Sequence, residues 1–318
     1  MKALYFDRHN LKLSEVPVPE PRDDEALLKV KYSGICNTDL EILKGYMDFK
    51  GILGHEFVGI VVKSPLPEWQ NKLVVGEINI SCGKCEYCHQ GLDRHCPYRS
   101  VLGIQGKSGV MAEYITLPLR NLHAIPEPVK PQCALFTEPL AAACEIFEQI
   151  RILSDYRVLV IGDGKLGQLI ARVTNLHTSN LCVLGKHQQK LNLLNKLGID
   201  TVHSDNFKIE AEKFQVVIEA TGSWQGWELA LQAVRPRGII VLKSTYTGAH
   251  NFNPAPLIIH EITVLGSRCG PFPLALQLLA KKQVVVDDLI TASFPFSEWN
   301  KAFDMASRQD SLKIIMKH

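Results

Sequence analysis

The chain has 318 residues, 46% of them hydrophobic and 21% charged, with a formal net charge of +2 at pH 7. That length can bury two separate cores, and the composition excludes a disordered or low-complexity protein. Lysine and arginine are spread along the chain without basic runs. This argues against nucleic acid or a membrane surface as partner and points to small molecules and to copies of the chain itself.

The first residues, MKALYFDRHNLKLSEVPVPEP, hold no apolar run of signal-peptide length. No apolar run of about twenty residues follows, so a cytoplasmic protein is expected. Residues 1 to about 135 carry short strand-like runs, EALLKVKYSGIC, EFVGIVVKS and GVMAEYITLP, broken by Gly and Pro as in a β-rich domain. Nine cysteines, an odd number, include five scattered ones (Cys36, Cys133, Cys144, Cys182, Cys269), as expected of thiols in a reducing compartment.

The other four, Cys82, Cys85, Cys88 and Cys96, stand at C-x2-C-x2-C-x7-C within SCGKCEYCHQGLDRHC. Thiolates at this spacing converge on one tetrahedral ion, and a structural zinc is expected ahead of a disulfide or an iron–sulfur cluster. A closed four-thiolate shell has no vacancy for substrate, so this lobe of about residues 80–98 stabilises a loop and the chemistry lies elsewhere.

From about residue 139 the pattern changes to alternating helices and strands. TEPLAAACEIFEQI reads as a helix with Pro139 in its first turn, and YRVLVIGDG as a buried strand. KLGQLIARVTNL places Leu166, Leu169, Ile170, Val173 and Leu176 on one helical face. LCVLG, FQVVIEATG and GIIVLKST read as strands, QQKLNLLNKLG as a helix closed by Gly198, and SWQGWELALQAV as a helix stopped by Pro236. Such alternation predicts an α/β fold with a parallel sheet covered on both faces, a doubly wound Rossmann domain. The last stretch, through LITASFPFSEWNKAFDMAS to SLKIIMKH, is expected to return and complete the β-rich domain.

Gly162, Gly164 and Gly167 of VLVIGDGKLG stand in G-x-G-x-x-G spacing between a predicted strand and a predicted helix. There the glycines allow a tight turn and close approach of a pyrophosphate to the helix N-terminus. In NAD sites the next strand ends in a carboxylate that binds the ribose 2′-hydroxyl. Here that position is Gly185, followed by Lys186 and His187, which offer donors to a 2′-phosphate. The expectation is NADP(H) over NAD(H), against a permissive site in which both are ordinary solvated residues.

GICNTDLE, LGHEFVG and LFTEPLAAA bring Cys36, Thr38, Asp39, His55, Glu56 and Glu138, donor types that zinc accepts, from three segments. Taken singly, Cys36 could be a core thiol, His55 a turn residue, and Glu138 a carboxylate at a helix N-terminus. In order with the four-cysteine lobe, GDGKLG, IEATGS and VLGSRCGPF, they resemble the zinc-dependent medium-chain dehydrogenase/reductase family over essentially the whole chain.

That resemblance implies a GroES-like catalytic domain (1–138), a Rossmann domain (139–271), a returning segment (272–318), and hydride transfer between NAD(P)(H) and an alcohol or carbonyl substrate. It implies two zinc ions per chain, one structural and one catalytic. Cys36, His55 and either or both of Glu56 and Glu138 match the catalytic ligands, Thr38 the proton relay, and Asp39 the carboxylate orienting the histidine. Lys165, Leu166 and Arg268 join the glycines as cofactor-binding positions. Glutamate in place of a thiolate favours a polyol, sugar or other hydroxylated substrate. The segments leading into and following LGHEFVG are shortened relative to the family, so substrate identity is not inherited from a named relative. A carbonyl reductase working mainly in the reductive direction, and a non-catalytic NADP(H)-binding protein, are the other readings.

Overall fold

A computed structural model describes residues 1–207, 213–245 and 251–318. It comprises two compact units, Met1–Glu138 with Ala275–His318, and Pro139–Leu274.

In chain order the first unit contains β1 (Lys2–Phe6), β2 (Leu11–Glu15), β3 (Glu25–Ile35), α1 (Asn37–Leu43), β4 (Gly51–Ile52) and β5 (Glu56–Lys63). After these come β6 (Leu73–Gly76), β7 (Asn79–Ile80), α2 (Glu86–His89), β8 (Ser100–Leu102), β9 (Gly106–Lys107), β10 (Tyr114–Pro118), β11 (Leu122–Ala124) and α3 (Pro131–Ala134). Helix α4 (Thr137–Gln149) begins at the last two residues of this segment.

The second unit continues with β12 (Val158–Ile161), α5 (Lys165–Thr174), β13 (Leu181–Gly185), α6 (Gln188–Asn195), β14 (Asp200–His203) and β15 (Phe214–Glu219). It closes with α7 (Trp224–Ala233), β16 (Val234–Leu242), α8 (Ala255–Ile259), β17 (Thr263–Gly266) and the start of α9 (Phe272–Ala280). The chain then returns to the first unit as β18 (Ile290–Pro295), α10 (Trp299–Ala306) and β19 (Lys313–Lys317).

The long apolar strand β3 organises the first unit. Its sheet runs β11-β6-β5-β3-β19-β18, with β10 also paired to β3. Leu4, Ile35, Ile42, Leu53, Met111, Phe296, Ile314 and Met316 close one core against it, and burial of such side chains contributes roughly 1.5–3 kcal/mol each. The register sets Gly34 opposite Glu56 and Ile35 opposite Ile314. Cys36, Glu56 and Lys313 therefore meet at one end of three adjacent strands.

The second unit is an all-parallel sheet in the order β14-β13-β12-β15-β16-β17. The order reverses between β12 and β15, the switch point where doubly wound sheets bind ligands beyond the strand C-termini. All four residues of β12 are buried, as expected for a strand covered on both faces.

Three details differ from the sequence reading. Leu176 lies beyond the end of α5 and is 43% exposed, because Asn175 caps the helix, whose buried positions include Gln168, Arg172 and Thr174. Helix α7 ends at Ala233, and Pro236 sits inside β16. Strands β14 and β17 have no counterpart among the expected strands, since DTVH and TVLG are short and sit at sheet edges.

Candidate metal and nucleotide sites

The four-cysteine lobe forms around α2, which is N-capped by Cys85. The Sγ atoms of Cys85 and Cys88 are 3.4 Å apart, those of Cys85 and Cys96 3.7 Å, and those of Cys82 and Cys88 3.9 Å. A tetrahedron with bonds of about 2.3 Å has edges of about 3.8 Å, so the four thiols fit one zinc ion. Their protonation tells the same story. The N–H of Lys84 and neighbouring thiols lower Cys82 to about 6. At Cys85 the N–H of Cys88 favours the thiolate, but burial and the thiols of Cys88, Cys82 and Cys96 drive it up to about 12. Four thiolates this close require a cation.

The second cluster is built differently. Cys36 follows β3 and caps α1; its N–H donates to Asp39 Oδ2 at 2.8 Å, and its Sγ lies 3.8 Å from Thr38 Oγ1. His55 precedes β5 on a loop held by main chain: Met111 N donates to Leu53 O at 2.9 Å and Val110 N to Gly54 O at 3.0 Å. Gly54 takes φ of +93°, open to glycine, and a Cβ on Gly103 or Gly109 would collide with the Gly54 carbonyl. Glu56 opens β5, and Gly34 opposite leaves the room its carboxylate occupies.

The donor atoms of Cys36, His55 and Glu56 lie within 4.8 Å of one another. Glu138, at the start of α4, is not in that close set but is near enough to act on Lys313. His55 Nδ1 faces Asp39 Oδ1 at 3.5 Å, and neither atom has a hydrogen-bond partner. This leaves Nε2 to serve as a ligand. Burial disfavours the imidazolium of His55, but the Asp39 carboxylate and Cys36 raise its pKa well above the ordinary value.

Lys313, 2% exposed at the start of β19, pairs with Glu56 Oε2, and its ammonium lies 5.4 Å from the Phe136 ring centroid. Burial opposes its charge, yet Glu56, Cys36 and Glu138 hold its pKa up. Three carboxylates and a thiol gathered around one lysine and one histidine leave excess negative charge, and this donor set suits a divalent cation.

In the second unit the three glycines do different work. Gly162 has φ of +120°, and a Cβ there would lie 2.7 Å from Ala220 O. A Cβ on Gly167 would strike the Gly162 carbonyl, whereas Gly164 has nothing within 4 Å and leaves the N-terminus of α5 open to a pyrophosphate. Lys165 and Leu166 form the first turn of α5 and are half-buried. Gly185 ends β13 beside this turn, while Arg268 follows β17, at the other edge of the sheet from β14.

Residues 22–127 match the alcohol dehydrogenase GroES-like domain, and residues 132–317 match the glucose dehydrogenase C-terminus. The sorbitol dehydrogenase of Halalkalibacterium halodurans is 30% identical over 342 residues, which span 99% of each chain. The chain belongs to the zinc-dependent medium-chain dehydrogenase family. The D-arabitol-phosphate dehydrogenase of Enterococcus avium is 28% identical over 332 residues, 95% of this chain and 92% of that one. A protein of Sinorhizobium meliloti, described as a zinc-binding dehydrogenase and crystallised with NADP, superimposes with a TM-score of 0.91 at 26% identity, over 100% of this chain and 99% of the other.

Two residues of this dehydrogenase escape sequence reasoning. Lys313 is signalled only by a charge at the head of the apolar run KIIM. Asp163, inside the glycine motif, is 5% exposed and takes up the N–H groups of Lys186 and His187 together with the His187 ring. A carboxylate from the glycine turn thus packs against Gly185 and engages the Nδ1 side of the His187 ring. Lys186 alone of the pair keeps an exposed side chain.

Proposed function

We propose that this alcohol dehydrogenase oxidises a polyol, sugar alcohol or related hydroxylated compound, or reduces the matching carbonyl, with zinc at Cys36, His55 and one of the carboxylates Glu56 and Glu138. NADP(H) is the preferred cofactor in this reading, and a second zinc closes the lobe of Cys82, Cys85, Cys88 and Cys96. The single observation that supports it most is the convergence of Cys36, His55 and Glu56 within 4.8 Å in a pocket where His55 is 3% and Glu56 2% exposed.

When bound, the metal supplies Lewis acidity at the substrate oxygen, and the dinucleotide accepts or donates hydride. The chain's own residues do the rest. Asp39 fixes Cys36 through its main-chain N–H and holds the His55 ring so that its other nitrogen faces the metal position. Thr38, half-buried beside Cys36, carries the substrate hydroxyl proton toward solvent. Lys313 holds Glu56 in place. Gly162, Gly164, Lys165, Leu166 and Gly167 receive the pyrophosphate, Gly185, Lys186 and His187 the adenosine ribose, and Arg268 a further part of the cofactor.

The odd cysteine count and the scattered positions of Cys36, Cys133, Cys144, Cys182 and Cys269 support a reducing compartment such as the cytoplasm. No helix among the described residues is long and apolar enough to cross a membrane. A homodimer or homotetramer is the assembly proposed. The test is metal analysis combined with a panel of polyols, aldoses, hydroxy-amino acids and aldehydes assayed with both cofactors. About two zinc ions per chain and turnover of a polyol sustain the reading; zinc at the lobe alone, or turnover of aldehydes only, would sink it.

A further inference from the structure

The carboxylate missing from the end of β13 is supplied by the glycine turn. Asp163 Oδ2 accepts the main-chain N–H of Lys186 at 2.8 Å and of His187 at 2.6 Å, and its Oδ1 meets His187 Nδ1 at 3.0 Å. A Cβ on Gly185 would fall 2.5 Å from Asp163 Oδ2 and 2.6 Å from its Cβ. From the neighbouring strand β14, His203 Nε2 meets the Lys186 carbonyl at 2.8 Å. Lys186 is therefore fixed through both its N–H and its C=O while its side chain stays exposed.

We propose that Asp163 is a positioning residue that sets the choice between NADP(H) and NAD(H), by aiming Lys186 at the 2′-phosphate and fixing the His187 ring through its Nδ1. The proposal rests on the reading that residues 185–187 meet the adenosine ribose. Hydrogen bonds from main-chain N–H groups to a buried carboxylate are strong and directional, so they fix the path of the turn. Pairing with Asp163 occupies Nδ1 of the imidazole and fixes the ring, while the exposed ammonium of Lys186 is the group aimed to distinguish a phosphate from a hydroxyl. The preference it can confer is that of one charge-assisted hydrogen bond, about tenfold or somewhat more. The same packing makes Gly185 obligatory: Gly185→Asp would set a second carboxylate against Asp163, and introducing the NAD-type acid there requires removal of Asp163 as well.

The experiment measures dissociation constants of NADPH, NADH and adenosine 2′,5′-bisphosphate for the parent and three variants, by nicotinamide fluorescence and calorimetry. Lys186→Ala tests the underlying reading and is expected to weaken NADPH about tenfold more than NADH. Asp163→Asn removes the charge that strengthens the two turn hydrogen bonds and is expected to shift the NADPH-to-NADH ratio the same way by about tenfold, with the bisphosphate following NADPH. If Lys186→Ala shifts the ratio and Asp163→Asn weakens both cofactors equally or neither, the proposal is overturned while the reading of the turn stands. If Lys186→Ala leaves the ratio untouched, the reading falls and the proposal with it. Should Asp163→Asn not fold, His203→Ala at the sheet edge is expected to shift the ratio about threefold through the freed carbonyl, and no shift there overturns the proposal.

Discussion

The four-cysteine lobe and the pocket of Cys36, His55 and Glu56 both present metal donors, yet they solve opposite problems. In the lobe four identical ligands are held at tetrahedral spacing by a short loop and a single turn of helix, three of them half-buried. In the pocket the donors differ in kind, come from the end of β3 and the start of β5, and share their burial with Lys313. The first arrangement would saturate an ion and leave it a structural part alone. The second keeps a mixed set whose charge is offset in part by a protein cation, and an ion bound by three of its donors would keep a fourth position open.

The largest effect that would sharpen this contrast comes from Cys36→Ser. It is expected to lower kcat/KM by at least a thousandfold, about 4 kcal/mol of transition-state stabilisation, while circular dichroism and Tm stay near the parent; equal activity would break the contrast. Cys88→Ser is expected to do the reverse. Loss of an ion present at about a thousand times its Kd removes about 4 kcal/mol of stability, so Tm falls and one metal per chain is lost, with kcat per folded molecule retained. If Cys88→Ser instead abolished turnover without a change in Tm, the lobe would have to be given a chemical role.

Lys313→Met probes the internal cation and has the smallest expected effect of the three. It leaves Glu56 buried without its partner and is expected to destabilise the metal-free protein by about 3 kcal/mol. In the zinc-loaded protein the loss should shrink, since the ion takes over part of the compensation. Denaturant unfolding with and without chelator measures both, and an equal loss in the two states would show that Lys313 acts apart from the metal position.

What could be read from the sequence was what is local in it. The lobe lies within a few turns of chain, and the glycine motif connects a strand to the helix that follows, so spacing alone carries their geometry. The alternating elements of the second unit are likewise visible because each buried strand or helix face repeats its own period. Lys313 and Glu56 are 257 residues apart and meet only because β3 lies between β5 and β19. No periodicity announces that. Asp163 was hidden for another reason: within G-x-G-x-x-G the intervening positions are read as free, whereas its carboxylate crosses to a turn 23 residues on. The exposure of Leu176 shows a periodic pattern continuing past the point where a helix physically stops.

The loop bearing His55 carries one further consequence. It is braced by glycines packed against a peptide carbonyl and by main-chain hydrogen bonds from residues 109–111. Its placement therefore depends little on the identity of surrounding side chains. Residues lining such a pocket can drift under selection, or be randomised in a library, without moving the histidine. A scaffold of this kind lets the walls of the pocket change while the histidine keeps its place.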